Sequence, residues 1–113
     1  MHELAITQSL FDIVLEYAAQ AKARRVKSVY LVIGELTGVV SDSVQFYLEL
    51  LGKDTIAAGM KAEIKMSPAR AVCRQCGKEF TVKEMQWQCP GCGSEKLDVT
   101  GGKELLVESI EVE

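Results

Sequence analysis

No apolar run in the sequence is long enough to span a bilayer; the longest, Val29 to Ile33, reads instead as a buried strand. The N-terminus carries Glu3 and Asp12 and lacks the basic patch ahead of an apolar core that marks a secretory signal, so a cytoplasmic location is expected. Positive charge is also not in excess. Thirteen Lys+Arg against sixteen Asp+Glu leave a net charge of −3, with nothing to drive binding to phosphate backbones or anionic lipid, so neither nucleic acid nor membrane is an expected partner. Internal repeats and low-complexity linkers are missing, and 113 residues are too few for two full-sized domains closing on a substrate. With one histidine in the whole chain and no evident nucleophile paired with a base, no enzyme is expected.

What is present is an ordinary globular balance, 48% hydrophobic and 26% charged, so the chain should fold. From Leu4 to Lys22 the residues Ile6, Leu10, Ile13, Val14, Tyr17 and Ala21 recur at helical spacing, and Gln8, Asp12, Glu16 and Gln20 fall largely on other faces. That predicts an amphipathic helix, and Arg24, Arg25 and Lys27 beyond it suit the negative pole of its dipole. Val26 to Ile33 predicts a strand ending at Gly34. Ser41 or Asp42 caps a second helix, with Asp42 and Gln45 as a capping-box pattern and Val44, Tyr47, Leu48 and Leu51 as its buried stripe. Ala62, Ile64 and Met66 alternate with polar residues in a half-buried strand that Pro68 confines to an edge or ends. Glu104 to Val112 reads as a third strand with imperfect alternation.

Residues 71 to 98 differ in character: all four cysteines, Trp87 and Pro90 fall there and helical periodicity disappears. The expected architecture is α+β: two helices packed on a small mixed three-stranded sheet (residues 1–70 and 99–113), with residues 71–98 inserted as a zinc-ribbon-like four-cysteine module. So short a module cannot bury enough surface to fold without a staple.

The staple is legible. Cys73-Arg74-Gln75-Cys76-Gly77 and Cys89-Pro90-Gly91-Cys92-Gly93 are two knuckles separated by twelve residues. Two residues between cysteines let both thiolates face one ion, and the following glycine permits a tight turn whose backbone N–H groups donate to sulfur. Four such thiolates close a tetrahedral shell suited to Zn(II), with no position for water, which points to a structural role. Iron in a rubredoxin-like electron-transfer site is the rival, and a ribbon acting only as an interaction adaptor is another. A nucleic-acid-reading ribbon is disfavoured, because Arg74, Lys78, Lys83 and Lys96 are matched by Glu79, Glu84, Glu95 and Asp98 before the thiolates are counted. Phe80 and Trp87 then read as the module's own small core.

His2 is the sole histidine and sits beside the chain's α-amine. A solvated side chain is the bland reading. Position 2 adds chemistry, however: the Met1 amine and His2 amide nitrogen close a five-membered chelate ring, and that amide with the imidazole Nδ1 closes a six-membered one. Planar nitrogen ligation favours Ni(II) or Cu(II) over zinc. Glu3 offers a carboxylate or a backbone amide, although an acidic residue in a first helical turn is stabilising without any ligand.

Taken together, Met1-His2-Glu3-Leu4, Gly34-Glu35-Leu36, the Cys-x-x-Cys and Cys-Pro-x-Cys knuckles, and Glu104-Leu105 through Ile110-Glu111-Val112 give a sequence that resembles the HypA/HybF family over essentially its full length. These are nickel metallochaperones for [NiFe]-hydrogenase maturation. The resemblance implies that Ni(II) is bound by His2, with the Met1 amine and Glu3 beside it, and that Cys73, Cys76, Cys89 and Cys92 hold Zn(II). It further implies a HypB-type GTPase and the [NiFe]-hydrogenase large subunit as partners.

Overall fold

The computed structural model describes residues 3–113. Helix α1 spans Glu3–Gln20 and buries Thr7, Leu10, Phe11, Val14 and Ala18, a stripe at three- and four-residue intervals. Thr7 is the one polar member of that stripe, and its hydroxyl donates to the Glu3 carbonyl at 2.6 Å, so no polar group is left unpaired by its burial. The helix ends in backbone geometry: Lys22 takes a left-handed conformation (φ 54°), Ala23 N–H donates to Ala18 O and Lys22 N–H to Ala19 O. Those two bonds are the Schellman pair. Arg24, Arg25 and Lys27 follow the end of the helix, as expected, and the backbone N–H groups of Arg24 and Arg25 donate to the Glu113 carbonyl.

Strand β1 (Val26–Gly34) is the middle of a mixed sheet, parallel to β2 (Lys61–Ser67) and antiparallel to β6 (Leu105–Val112). Val29, Leu31 and Ile33 point to the side covered by α1 and α2 (Ser41–Gly52) and are essentially inaccessible. Ala62 and Ile64 of β2 are half-buried beside them, while Met66, expected in the same row, is exposed at the sheet's end. The imperfect alternation of the last strand has a cause. Tyr30 pairs with Ser109 and Leu31 with Val107, so Glu108 is an extra residue in a bulge, and Val107 and Ile110 both reach the core across an odd spacing.

The second helix departs from its expected start. Its N-cap is Val40, with no side-chain cap, and Gln45 Nε2 donates to the Ala62 carbonyl at 3.3 Å. The predicted capping box is therefore not formed: Gln45 reaches sideways to the neighbouring strand rather than back to its own helix end. Val44 and Leu48 are buried as expected, with Tyr47 and Leu51 partly so.

Between β2 and β6 the chain builds a second three-stranded sheet, β4-β3-β5, from β3 (Arg70–Cys73), β4 (Glu79–Thr81) and β5 (Leu97–Gly101), all pairs antiparallel. These strands are too short to register as periodic patterns. Their core is minimal: Ala69, Ala71 and Val82, with Leu36, Phe80, Trp87 and Leu97 packed on them. The molecule is long, 54 × 25 × 17 Å, and its 17.4 Å radius of gyration exceeds the roughly 13 Å expected of a compact chain this size. Two lobes thus stand end to end.

The first lobe depends on the central strand. Leu31→Ala, at a site 1% exposed, should cost about 2–5 kcal/mol in thermal or urea unfolding followed by helical circular dichroism. A loss below 1 kcal/mol would mean that β1 is not the centre of the core.

Candidate metal centre

Cys73 ends β3 and opens the first knuckle; Cys89 opens the second. The two are built alike. Gly77 N–H donates to Cys73 O and Gly93 N–H to Cys89 O, each at 2.9 Å, while Cys73 N–H and Cys89 N–H donate to Lys78 O and Ser94 O, each also at 2.9 Å. Both glycines sit at φ 75°, a left-handed conformation that an L side chain would strain. Cys76 N–H lies 3.5 Å from Cys73 Sγ, and Gln88 Nε2 steadies the second turn by donating to Gly93 O at 3.0 Å.

The knuckles face one another, with Cys73 and Cys92 sulfurs 3.6 Å apart, Cys76 and Cys89 sulfurs 3.5 Å apart, and all four within 4.8 Å. A metal–sulfur bond of about 2.3 Å in a tetrahedron requires sulfurs roughly 3.8 Å apart, so the four thiols fit a closed single-ion shell. Among the described residues this is the one cluster of three or more potential ligating side chains.

The four thiols are not equivalent. The first of each knuckle, Cys73 and Cys89, is buried, and the second, Cys76 and Cys92, is exposed. The Cys76 backbone N–H favours the Cys73 thiolate and outweighs the cost of desolvation, bringing its pKa down to about 6; the Cys92 N–H likewise lowers Cys89. For Cys76 the Lys78 N–H also favours the thiolate, but hydrogen bonding with Cys89 and desolvation together outweigh it and raise the pKa. At Cys92 the Ser94 N–H is overcome in the same way by Cys73 and desolvation, which push the thiol up to about 11. Each knuckle therefore holds one thiol predisposed to ionise.

Charge around the centre is paired internally. Arg70 meets Glu79 at 2.6 Å and Arg74 meets Asp98 at 2.7 Å, which raises the Arg74 pKa through the Asp98 hydrogen bond. Both pairs are solvent-exposed and of small energetic weight, but they leave neither guanidinium free for a phosphate backbone.

A family model described as "Hydrogenase/urease nickel incorporation, metallochaperone, hypA" matches residues 1–112. The chain belongs to the HypA family. It is 43% identical over the full length of both chains to "Hydrogenase maturation factor HypA" of Caldanaerobacter subterraneus subsp. tengcongensis, and 44% identical to proteins of that name from Dehalococcoides mccartyi and Nostoc sp., covering all of this chain and 95% and 96% of theirs. The fold is that of the solution structure of the Ni metallochaperone HypA from Helicobacter pylori, with a TM-score of 0.69 at 22% identity over 99% of this chain and 97% of that one. The α+β architecture with a four-cysteine cluster, expected from the pattern, is thus the HypA fold.

Within this HypA chain the structure gathers Cys73, Cys76, Cys89 and Cys92 into one centre and starts α1 at Glu3, which is half-buried. Glu3 is not part of the sulfur cluster. The remaining expected nickel ligands, Met1 and His2, lie outside the described residues. No helix among the described residues is long and apolar enough to cross a membrane. Lys78, Ser94 and Gln88, whose polar atoms complete the knuckles, are not singled out by the cysteine pattern; Lys78 and Ser94 share an offset of two residues from the second cysteine of each pair, and Gln88 has no counterpart.

Each thiol must give up its proton to ligate, so loading a divalent ion should release protons and its affinity should fall as pH drops. Calorimetric titration in buffers of differing ionisation enthalpy measures this; affinity and proton release that stay constant from about pH 5.5 to 8 would contradict ligation by thiolates.

Proposed function

We propose that this protein is a nickel carrier of the cytoplasm. It binds Ni(II) as cargo at its N-terminus through the Met1 amine, the His2 amide nitrogen and imidazole, with Glu3 beside them, and delivers it for assembly of the [NiFe]-hydrogenase active site. A HypB-type GTPase and the hydrogenase large subunit are its partners, and hydrogenase is preferred over urease because the full-length relatives are named hydrogenase maturation factors. The observation that carries the reading is the closure of the four thiols on one another: a shell already filled by sulfur has no open position for cargo. Cargo then falls to the chain's single histidine, at position 2.

Cys73, Cys76, Cys89 and Cys92 would hold Zn(II), whose chemistry here is that of a folding staple. Their own part is to tie the ends of β3 and the two knuckle turns together around a core of two alanines and a valine. The lobe built on β3, β4 and β5 then owes its shape to metal, and the lobe of α1, α2, β1, β2 and β6 holds its own through the helix-covered sheet. At the N-terminus, α1 begins at Glu3, immediately after the proposed ligand His2, so the nitrogen donors precede a rigid helix rather than a loop.

Each nickel ligand must lose or lack a proton, so binding tightens as pH rises and acid discharges the cargo. An N-terminal extension removes the free amine while leaving His2 in place. It should weaken nickel binding at least about tenfold, a loss on the scale that changes around a metal's ligands ordinarily produce. His2→Ala should do the same. Titration with nickel, read by absorbance and by metal content, checks both, and equal affinity of extended and native chains would sink the terminal chelate. A protein purified coloured with iron and indifferent to nickel would mean electron transfer instead, and zinc alone would mean an adaptor.

A further inference from the structure

The chain crosses between the lobes twice, through Ser67-Pro68-Ala69 and through Gly101-Gly102-Lys103-Glu104, and a 3-10 turn, Glu35–Thr37, projects from the end of β1 onto the same place. The contact made there combines backbone hydrogen bonds with the apolar side chain of Leu36. Relative motion is the default for two lobes joined in that way. What opposes it is a set of hydrogen bonds centred on one side chain. Glu104 Oε1 accepts from Gly102 N–H at 2.6 Å, and Oε2 accepts from the Ser67 hydroxyl at 2.5 Å, so a single carboxylate ties the two crossings together. Its backbone carbonyl accepts from Gly34 N–H, and Gly102 O accepts from Leu36 N–H, each at 2.7 Å. Glu35 Oε2 accepts from Ala69 N–H at 3.3 Å, on the far side of the crossing.

From these bonds we infer that Glu104 and Glu35 are positioning residues, clamping the thiolate lobe to the helix-and-sheet lobe in one orientation. Three features support it. A carboxylate is acceptor-only with two oxygens, which matches two donors on different segments, and charge-assisted bonds are about twice as strong as neutral ones. The backbones meet with no room to spare: a Cβ on Gly34 would lie 2.1 Å from Gly102 O, and one on Gly102, at φ +103°, would lie 2.8 Å from the Ala69 Cα. Finally, Leu36 inserts its side chain against Ala69, Ala71 and Val82, so the turn that carries Glu35 is also an apolar plug in the second lobe's core. The Ser67 bond holds the Glu104 pKa below the usual carboxylate range, as expected of a carboxylate that is used while ionised.

The clamp does not depend on the nickel reading, and it gives parts to Gly34-Glu35-Leu36 and Glu104 that metal binding leaves without one. A partner touching both lobes would meet a surface already assembled, which lowers the ordering cost of binding.

Residual dipolar couplings on the full-length, metal-loaded protein test it. In the native chain the amides of both lobes should fit one alignment tensor. Glu104→Ala should destroy that common fit, with amide shifts far from the joint and metal content unchanged. Glu104→Gln, which keeps an oxygen for Gly102 N–H and an amide that donates to the Ser67 hydroxyl, should restore it. A single shared tensor in Glu104→Ala overturns the inference. Should Glu104→Ala unfold the first sheet, the double variant Ser67→Ala with Glu35→Ala breaks the clamp without altering β6; separate tensors there support the inference and a shared one overturns it.

Discussion

The backbone pairing of β1 is the constraint on which the rest of the molecule is registered. Val29, Leu31 and Ile33 face Ala62, Ile64 and Met66 on one side and Ile110, Val107 and Leu105 on the other. A slip of one residue would turn that row out of the core, and the two helices would lose the surface they cover. The same strand sets the position of the second lobe, because Gly34, its last residue, receives Glu104 on its N–H and leads at once into Glu35 and Leu36.

The two lobes are held by different physics. The first buries a continuous apolar set from α1, α2 and all three strands. Besides Cys73 and Cys89, the second has only Ala69, Ala71 and Val82 fully inside, and burying so little apolar surface cannot offset the entropy of ordering its long turns. Cross-linking of the four thiols by a metal would supply what the apolar core lacks. The inequality of the thiols follows from this geometry: the cysteine that opens each knuckle lies under its own turn and collects N–H groups, whereas the one that closes it lies outside. A thiolate stabilised by fixed dipoles is a prepared ligand.

Where residues act through neighbours close in sequence, the pattern could be read directly. The buried stripe of α1, the cores of β1 and α2, and the glycine after each cysteine pair all follow from local periodicity or local turn geometry. Where a distant segment intervenes, it could not. Asp42 and Gln45 have the spacing of a capping box, but β2 offers Gln45 a carbonyl that the sequence does not reveal. The imperfect alternation of β6 comes from Glu108, bulged against β1 at a place that only the pairing defines. The three short strands around the cysteines carry no period of their own, and it is the thiols and the shared β3 that draw them into a sheet.

The HypA family, the α+β class and the four-cysteine centre were determined by the sequence alone, because metal-ligand spacing and amphipathic period are properties of residues a few positions apart. Three things were decided only by the tertiary structure: the opposition of the two knuckles, the division of the thiols into buried and exposed, and the meeting of Glu104, Glu35, Ser67 and Gly102 between the lobes. Glu104 stands 37 residues from its partner Ser67, and Glu35 stands 34 from Ala69. No local propensity links such positions; the parallel and antiparallel pairing of β1 brings them to one end of one sheet, where a carboxylate can reach both crossings.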